Sequence, residues 1–353
     1  MLYVVHTTGQ CNLKCTYCGG SFPKQIVPWE IKYSISSLKE IAKREEIDIC
    51  FYGGEPLLNA EFIKEVIKCV PAKRFIVQTN GLLVKEFDPK FWENFDTILL
   101  SIDGVRDVTD FYRGEGIYDR VVEAAHILKE SGYRGDLVAR MALAEKGDIF
   151  RDVTHLLSLN LFDHVHWQLN VVWSQAWKNF DKWTETNYMP GIKKLVHYWI
   201  NNMQEERVLG IAPFQGVLRR MIYGGVAPPC GAAMDMLSVS TDGRILACPI
   251  AFEERWAELS TLDGNKKDFR TRFIKEPCTD CDVFKECGGR CLYAYMERFW
   301  GEEGFNKICE LTKELIFMIR SERNKILDLV SRGKIKEEEL FYPSYNNSIE
   351  IIP

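Results

Sequence analysis

Three cysteines, Cys11, Cys15 and Cys18, follow one another at the spacing Cys-x3-Cys-x2-Cys. Thiolates packed this tightly can hold three corners of a cubane iron–sulfur cluster and leave the fourth iron without a protein ligand nearby. An incomplete protein shell is what separates a metal site that reacts from one that only braces a fold. A structural zinc knot is the alternative, but such knots pair Cys-x2-Cys or Cys/His arms and close with a fourth ligand. A second block runs Cys230, Gly243-x4-Cys248, Cys278-x2-Cys281-x5-Cys287-x3-Cys291 and finally Cys309. Seven thiols with no histidine among them leave one unused if they are shared between two tetrahedral zincs, so clusters are favoured here too.

Elements must hold these thiols in place. Short β-branched runs at Leu2–Thr7, Ile47–Tyr52, Arg74–Thr79, Thr97–Ile102, Leu137–Ala142 and His164–Gln168 read as strands. Longer amphipathic stretches at Glu30–Lys43, Glu61–Cys69, Asp119–Glu130 and Phe150–Leu159 read as helices between them. Repeated strand–helix units predict an α/β fold with parallel strands, right-handed crossovers and ligands gathered at the carboxyl ends of the strands. Those ends carry polar sequence: the cysteine loop, Gly53-Gly54-Glu55-Pro56, Thr79-Asn80-Gly81 and Ser101-Ile102-Asp103-Gly104. Next comes a loop, Asp110-Phe111-Tyr112-Arg113-Gly114-Glu115-Gly116. The alternation from Leu237 to Ala247 around Gly243 predicts a β-hairpin that presents Cys248. A helix over Met189–Gln204 bridges to it, Pro228-Pro229 marks a boundary, and Glu310–Ser331 reads as a closing helix. Trp173, Trp177, Trp183 and Trp199 read as packing, as do Cys50 and Cys69 on apolar faces. His6 reads as a satisfied core histidine or one standing just behind the site.

The first cysteine motif, with Tyr17 just before its third thiol, resembles the signature of the radical S-adenosylmethionine superfamily. That resemblance implies a partial (β/α)6 TIM barrel in which the open iron is chelated by S-adenosylmethionine, whose cleavage yields a 5′-deoxyadenosyl radical. It implies cofactor contacts at Tyr17, Gly53, Gly54, Glu55, Thr79, Asn80, Ser101, Asp103, Arg113, Arg140 and Leu169. Ser101 would meet the ribose and Arg113 the cofactor carboxylate, a pairing suited to a planar fork. Arg113 has the alternative of a surface ion pair, Arg140 that of a buried one, and Leu169 that of ordinary core. The second block is similar to the SPASM extension of these enzymes, which holds two auxiliary four-iron clusters. By order, Cys278, Cys281, Cys287 and Cys309 would ligate one of them. Cys230, Cys248 and Cys291 would give the other three thiolates, with one iron open. The resemblance covers about residues 1 to 325 and is nearest an archaeal peptide-modifying group. It implies a peptide or protein substrate and a reductant such as ferredoxin or flavodoxin. Sulfatase maturases of this family place a catalytic aspartate directly after the cysteine matching Cys248, where this chain has Pro249. Formylglycine formation would therefore lack its proton acceptor.

The bulk numbers limit the alternatives. The 353 residues suffice for a large α/β domain and a smaller one. The expected divisions are 1–190 (partial barrel), 191–229 (bridging helical segment), 230–325 (small cysteine-rich domain with hairpin and C-terminal helix) and 326–353 (tail). A balance of 45 Lys and Arg against 50 Asp and Glu gives no polycationic footprint for nucleic acid. No apolar run approaches bilayer length and the start reads as no signal peptide, so a cytoplasmic setting with reduced thiols is expected. A small-molecule radical dehydrogenase, a cofactor-biosynthesis enzyme and a non-catalytic iron–sulfur electron carrier are the alternative readings. Cofactor cleavage separates the last of these from the others.

Overall fold

The computed structural model describes residues 1–172, 177–264 and 270–346. Trp173 and the end of the expected tail lie outside them. In chain order the strands are β1 (Leu2–Thr8), β2 (Asp48–Gly53), β3 (Arg74–Thr79), β4 (Thr97–Ser101), β5 (Asp136–Leu143), β6 (His164–Leu169), β7 (Met236–Val239), β8 (Arg244–Leu246) and β9 (Glu258–Thr261). The α-helices are α1 (Ile35–Arg44), α2 (Ala60–Cys69), α3 (Pro89–Trp92), α4 (Arg106–Arg113), α5 (Ile117–Glu130) and α6 (Ile149–Ser158). They continue with α7 (Phe180–Trp183), α8 (Met189–Gln204), α9 (Ala212–Tyr223), α10 (Phe284–Cys287), α11 (Leu292–Glu297) and α12 (Gly301–Ser331).

The chain divides into two compact units. The first comprises residues 1–102, 109–138 and 230–273, the second residues 103–108, 139–229 and 274–353. In the first, strand order is β4-β3-β2-β1-β7-β8-β9. Pairing is parallel from β4 to β7, with Val4 opposite Cys50 on one side and Ser238 on the other. Strands buried on both faces should read as unbroken apolar runs, and β1 and β4 are buried at every position. β7 joins this sheet although more than 200 residues separate it from β1. The buried Ser238 hydroxyl donates to the Val4 carbonyl at 3.1 Å and satisfies both groups. The expected hairpin is present as antiparallel β7 and β8, with Gly243 at φ +87°. On its other side β7 pairs with β1, inside the sheet, which local patterning could not show. Helix α5 buries Ile117, Val121, Ala124, Ala125 and Leu128, the spacing of one helical face.

Three boundaries differ from the sequence reading. Helix α1 starts at Ile35, not Glu30, because the Ser34 side chain caps it by accepting from the Ser36 N–H. The stretch expected as a loop around Asp110 is the end of helix α4, where the Asp110 carboxylate accepts from the Tyr118 N–H at 2.8 Å. Helix α12 begins at Gly301 and takes Cys309 into its body; Glu302 and Glu303 in its first turn favour its positive end. Among the described residues, no helix is long and apolar enough to cross a membrane.

The second unit is packed around Trp167, Ile192, Leu195, Trp199, Phe214, Leu218, Ile316 and Ile319, all at most 0–1% exposed. Trp183 and Trp199 are buried packing residues, as expected, and donate to the Gly147 and Leu209 carbonyls at 3.1 and 3.0 Å.

Candidate functional site

In the first unit, β1 to β4 are parallel, so their carboxyl ends share one edge, and the candidate residues collect along it. β1 loses register between His6 and Thr8 and passes into the cysteine loop. The loop folds on itself. The Cys18 and Gly19 N–H groups donate to the Cys15 carbonyl at 3.1 and 2.8 Å, and Phe22 donates to the Gly9 carbonyl at 2.8 Å. The Cys11 N–H donates to the Ser21 hydroxyl at 2.9 Å, and the Leu13 N–H reaches the Cys11 sulfur at 3.4 Å. Cys15 is buried, Cys11 half-buried and Cys18 exposed. Burial pushes the Cys11 thiol up, and the nearby Glu55 and Cys18 add to that. Among the described residues no three His, Cys, Asp or Glu side chains gather as a single-ion site would need. A cubane asks for something else, one thiolate per iron corner, and a short, turn-rich loop with an exposed third thiol suits that demand.

The Gly53-Gly54-Glu55 segment after β2 is laced to this loop. Gly54 N–H donates to the Thr8 carbonyl at 3.1 Å, and Glu55 N–H to the Gln10 carbonyl at 2.7 Å. The approach is close enough that a Cβ on Gly54 would stand 2.1 Å from the Gln10 oxygen and 2.4 Å from its carbonyl carbon. Both neighbours are backbone and cannot swing aside. Gly54→Ala is therefore expected to lower stability by about 1–3 kcal/mol, the usual cost of overpacking, and to weaken cofactor binding at this edge. A melting curve with a cofactor titration checks it; unchanged values in both would show that the segment tolerates the shift.

Glu55 is 1% exposed and accepts three hydrogen bonds: from the Thr79 hydroxyl at 2.7 Å, the Asn80 N–H at 2.8 Å and the Leu57 N–H at 3.1 Å. Burial pushes its carboxyl up to about 7, against the pull of those donors. Asn80 then reaches the cysteine loop, its side-chain NH₂ donating to the Asn12 side-chain oxygen at 2.7 Å. Ser101, at the end of β4, is buried. Arg113, the last residue of α4, lies over the Tyr17 ring at 5.5 Å, and Tyr17 packs on Tyr112 at 5.8 Å. The Thr16 N–H donates to the Tyr112 carbonyl at 2.9 Å, so α4 and the cysteine loop are joined by backbone as well as by rings.

The structure thus gathers Tyr17, Gly53, Gly54, Glu55, Thr79, Asn80, Ser101 and Arg113 in the first unit, beside Cys11, Cys15 and Cys18. Asp103, Arg140 and Leu169 belong to the second. There Asp103 accepts from the Ala142 N–H at 2.8 Å, and the Arg140 guanidinium meets His166 Nδ1 at 2.9 Å and the Gln168 side-chain oxygen. Leu169 is buried. Sequence reasoning missed Asn12, Gln10 and Ser21, which tie the loop down; Asn12 was visible inside the cysteine motif, but its partner lies 68 residues away. His6 is buried, set edge-on to Tyr52 and Phe252, and burial lowers its pKa to about 3, so the ring is neutral. Among the described residues neither ring nitrogen has a partner in good hydrogen-bond geometry, so the ring is not the satisfied histidine expected, although the nearby Pro249 backbone partly offsets the effect of burial.

A second constellation lies within the second unit. Cys278, Cys281, Cys287 and Cys309 line one pocket, walled by Phe284, Phe299, Trp300, Phe305 and Ile308. The cysteines come from three places: a turn in which Cys281 N–H donates to the Cys278 carbonyl at 3.0 Å, the end of α10, and the body of α12. Burial pushes the Cys278 thiol up to about 11 and Cys287 up to about 12, and the neighbouring thiols of the set add to the shift. Four thiols facing one apolar cavity fit a cubane with a complete protein shell: they are inert unless deprotonated by a metal. Cys291 also lines this pocket, whereas Cys230 and Cys248 belong to the first unit.

Comparison with known proteins matches residues 5–155 to the Radical SAM superfamily. The chain is 24% identical over 357 residues to a cysteine-type anaerobic sulfatase-maturating enzyme of Clostridium perfringens, covering 89% of this chain and 94% of that one. It is 23% identical over 316 residues to the mycofactocin maturase MftC of Mycolicibacterium smegmatis, covering 81% and 76% respectively. Its fold is similar to that of native anSMEcpe with bound AdoMet and Cp18Cys peptide, with a TM-score of 0.71 at 18% identity over 94% of this chain and 99% of that one. The mixed α/β architecture with a parallel sheet is consistent with a radical SAM partial barrel.

Proposed function

We propose that this chain, whose residues 5–155 match the Radical SAM superfamily, modifies a peptide or protein side chain or α-carbon by hydrogen abstraction. The observation that carries this reading is the joining of the Cys11–Cys15–Cys18 loop to Glu55, Asn80 and Arg113 at one strand edge, in a chain similar over most of its length to two maturases. The cluster and S-adenosylmethionine together supply a 5′-deoxyadenosyl radical when an electron donor such as ferredoxin or flavodoxin reduces them.

The protein's part is to hold and orient. Cys11, Cys15 and Cys18 would take three corners of the cluster. Glu55 offers a buried carboxylate to the cofactor ammonium, and Gly53 and Gly54 let the backbone come close. Arg113, braced on Tyr17, offers its fork to the cofactor carboxylate, and Ser101 its hydroxyl to the ribose. Asp103, Arg140 and Leu169 are assigned to the same cofactor on sequence position. The pocket of Cys278, Cys281, Cys287 and Cys309 would hold one auxiliary cluster for electron transfer. For Cys230, Cys248 and Cys291 the assignment to another auxiliary cluster with an open iron rests on sequence order alone.

Because Pro249 stands where sulfatase maturases carry an aspartate, formylglycine formation is not the proposed outcome. Crosslinking, epimerisation or another peptide oxidation is. The test is anaerobic incubation of the reconstituted, reduced protein with S-adenosylmethionine and short peptides encoded beside its gene, read by mass spectrometry. Formation of 5′-deoxyadenosine with a mass change in a peptide supports the reading. Turnover with no peptide changed, but with a small molecule oxidised, replaces it.

A further inference from the structure

The second unit buries a guanidinium whose hydrogen bonds, among the described residues, all go to main-chain carbonyls. Arg220, on α9, is 3% exposed, and its nitrogens donate to main-chain carbonyls: Nε to Glu286 at 2.6 Å, Nη1 to Val226 at 2.7 Å and Nη2 to Lys285 at 3.0 Å. The Glu286 carboxylate is engaged by Arg320 at 2.9 Å. Gly225 and Gly288 crowd the guanidinium so closely that a Cβ on either would stand 2.7 or 2.8 Å from it. Carbonyl dipoles offset part of a buried charge, but an isolated ion withdrawn from water calls for an opposite charge.

Two of the three carbonyls Arg220 holds, those of Lys285 and Glu286, belong to α10, the turn that ends in Cys287, which lines the four-cysteine pocket. Four thiolates around a cubane would carry net negative charge in both oxidation states. Other cations line the pocket: Arg298 and Lys313 are paired with Glu302 at 3.1 Å and Glu310 at 3.0 Å, and Arg290 is buried in the wall itself.

We propose that Arg220 is a counter-ion and positioning residue of the cluster held by Cys278, Cys281, Cys287 and Cys309. It fixes the end of α10, and its charge raises the reduction potential of that cluster, which favours acceptance of an electron. The inference rests on reading that pocket as a cluster site. The positive charge acts because adding an electron deepens the negative charge beside it.

The experiment uses the full chain, anaerobically reconstituted, in a background where Cys11, Cys15 and Cys18 are alanine so that only auxiliary signals remain. Iron content, melting temperature and an EPR-monitored redox titration are recorded for Arg220→Lys and Arg220→Gln. The lysine variant keeps the charge and loses the fork: its melting temperature falls while the potential stays near that of the parent. The glutamine variant shifts one auxiliary signal to a more negative potential, or loses that cluster's iron where the lysine variant retains it. A glutamine variant with full iron and an unmoved potential overturns the proposal, as does equal loss of iron from both variants, which would leave Arg220 a brace only. A parent chain with no auxiliary iron at all would instead remove the cluster reading of the pocket, a different failure from either.

Discussion

Replacing Cys11, Cys15 and Cys18 together by alanine is expected to abolish 5′-deoxyadenosine formation completely while leaving the protein folded. These thiols lie in one loop, and its shaping bonds are made mostly by backbone and by Ser21, with one from the Leu13 N–H to the Cys11 sulfur: the Cys18 and Gly19 N–H groups donate to the Cys15 carbonyl, and Phe22 to Gly9. Only Cys15 is buried, so the loss of packing is small. Iron should fall from about twelve per chain to about eight if three cubanes are present, because each cubane holds four. Chromatography for 5′-deoxyadenosine, iron analysis and a melting curve together check it. Persistent cofactor cleavage in the triple variant would place the reactive cluster elsewhere, and the whole functional reading would go with it.

Glu55→Ala is expected to have the next largest effect, and one that depends on pH. Its carboxylate accepts from the Asn80 and Leu57 N–H groups and the Thr79 hydroxyl in a site 1% exposed. Removing it strands buried donors at about 1–3 kcal/mol each. The carboxyl's ordinary value is 4.5, which burial raises to about 7 in the folded chain. The folded state therefore binds this proton more tightly than the unfolded chain does. Its contribution to stability is greatest below about 4.5, declines as pH climbs to about 7 and is flat beyond, a total of about 3 kcal/mol. Glu55→Ala should accordingly destabilise more at pH 5 than at pH 8, measured by denaturant unfolding of both proteins. A bound cofactor ammonium would favour the charged carboxylate and reverse the burial effect. The wild-type chain should then bind S-adenosylmethionine about tenfold more tightly at pH 8 than at pH 6, and the variant should lose that dependence. A pH-independent affinity in the wild type would remove Glu55 from the cofactor site.

Much of this was legible before any coordinates. The cysteine spacings are local, with the first three ligands inside eight residues, and neither packing nor register can alter a spacing. The strands β1 to β6 follow from short apolar runs because a strand buried on both faces tolerates little else, and α8 was read at its observed limits. The tertiary structure decided what depends on partners remote in sequence. It placed β7 beside β1, turned the Asp110 stretch into helix α4 with Arg113 braced on Tyr17, and joined Asn80 to Asn12. It also raised the Glu55 carboxyl and enclosed Arg220 among carbonyls. The physical reason is the same each time. A residue's type and spacing are properties of the chain, but its burial, its charge state and the group it meets are set by surfaces that come together only on folding.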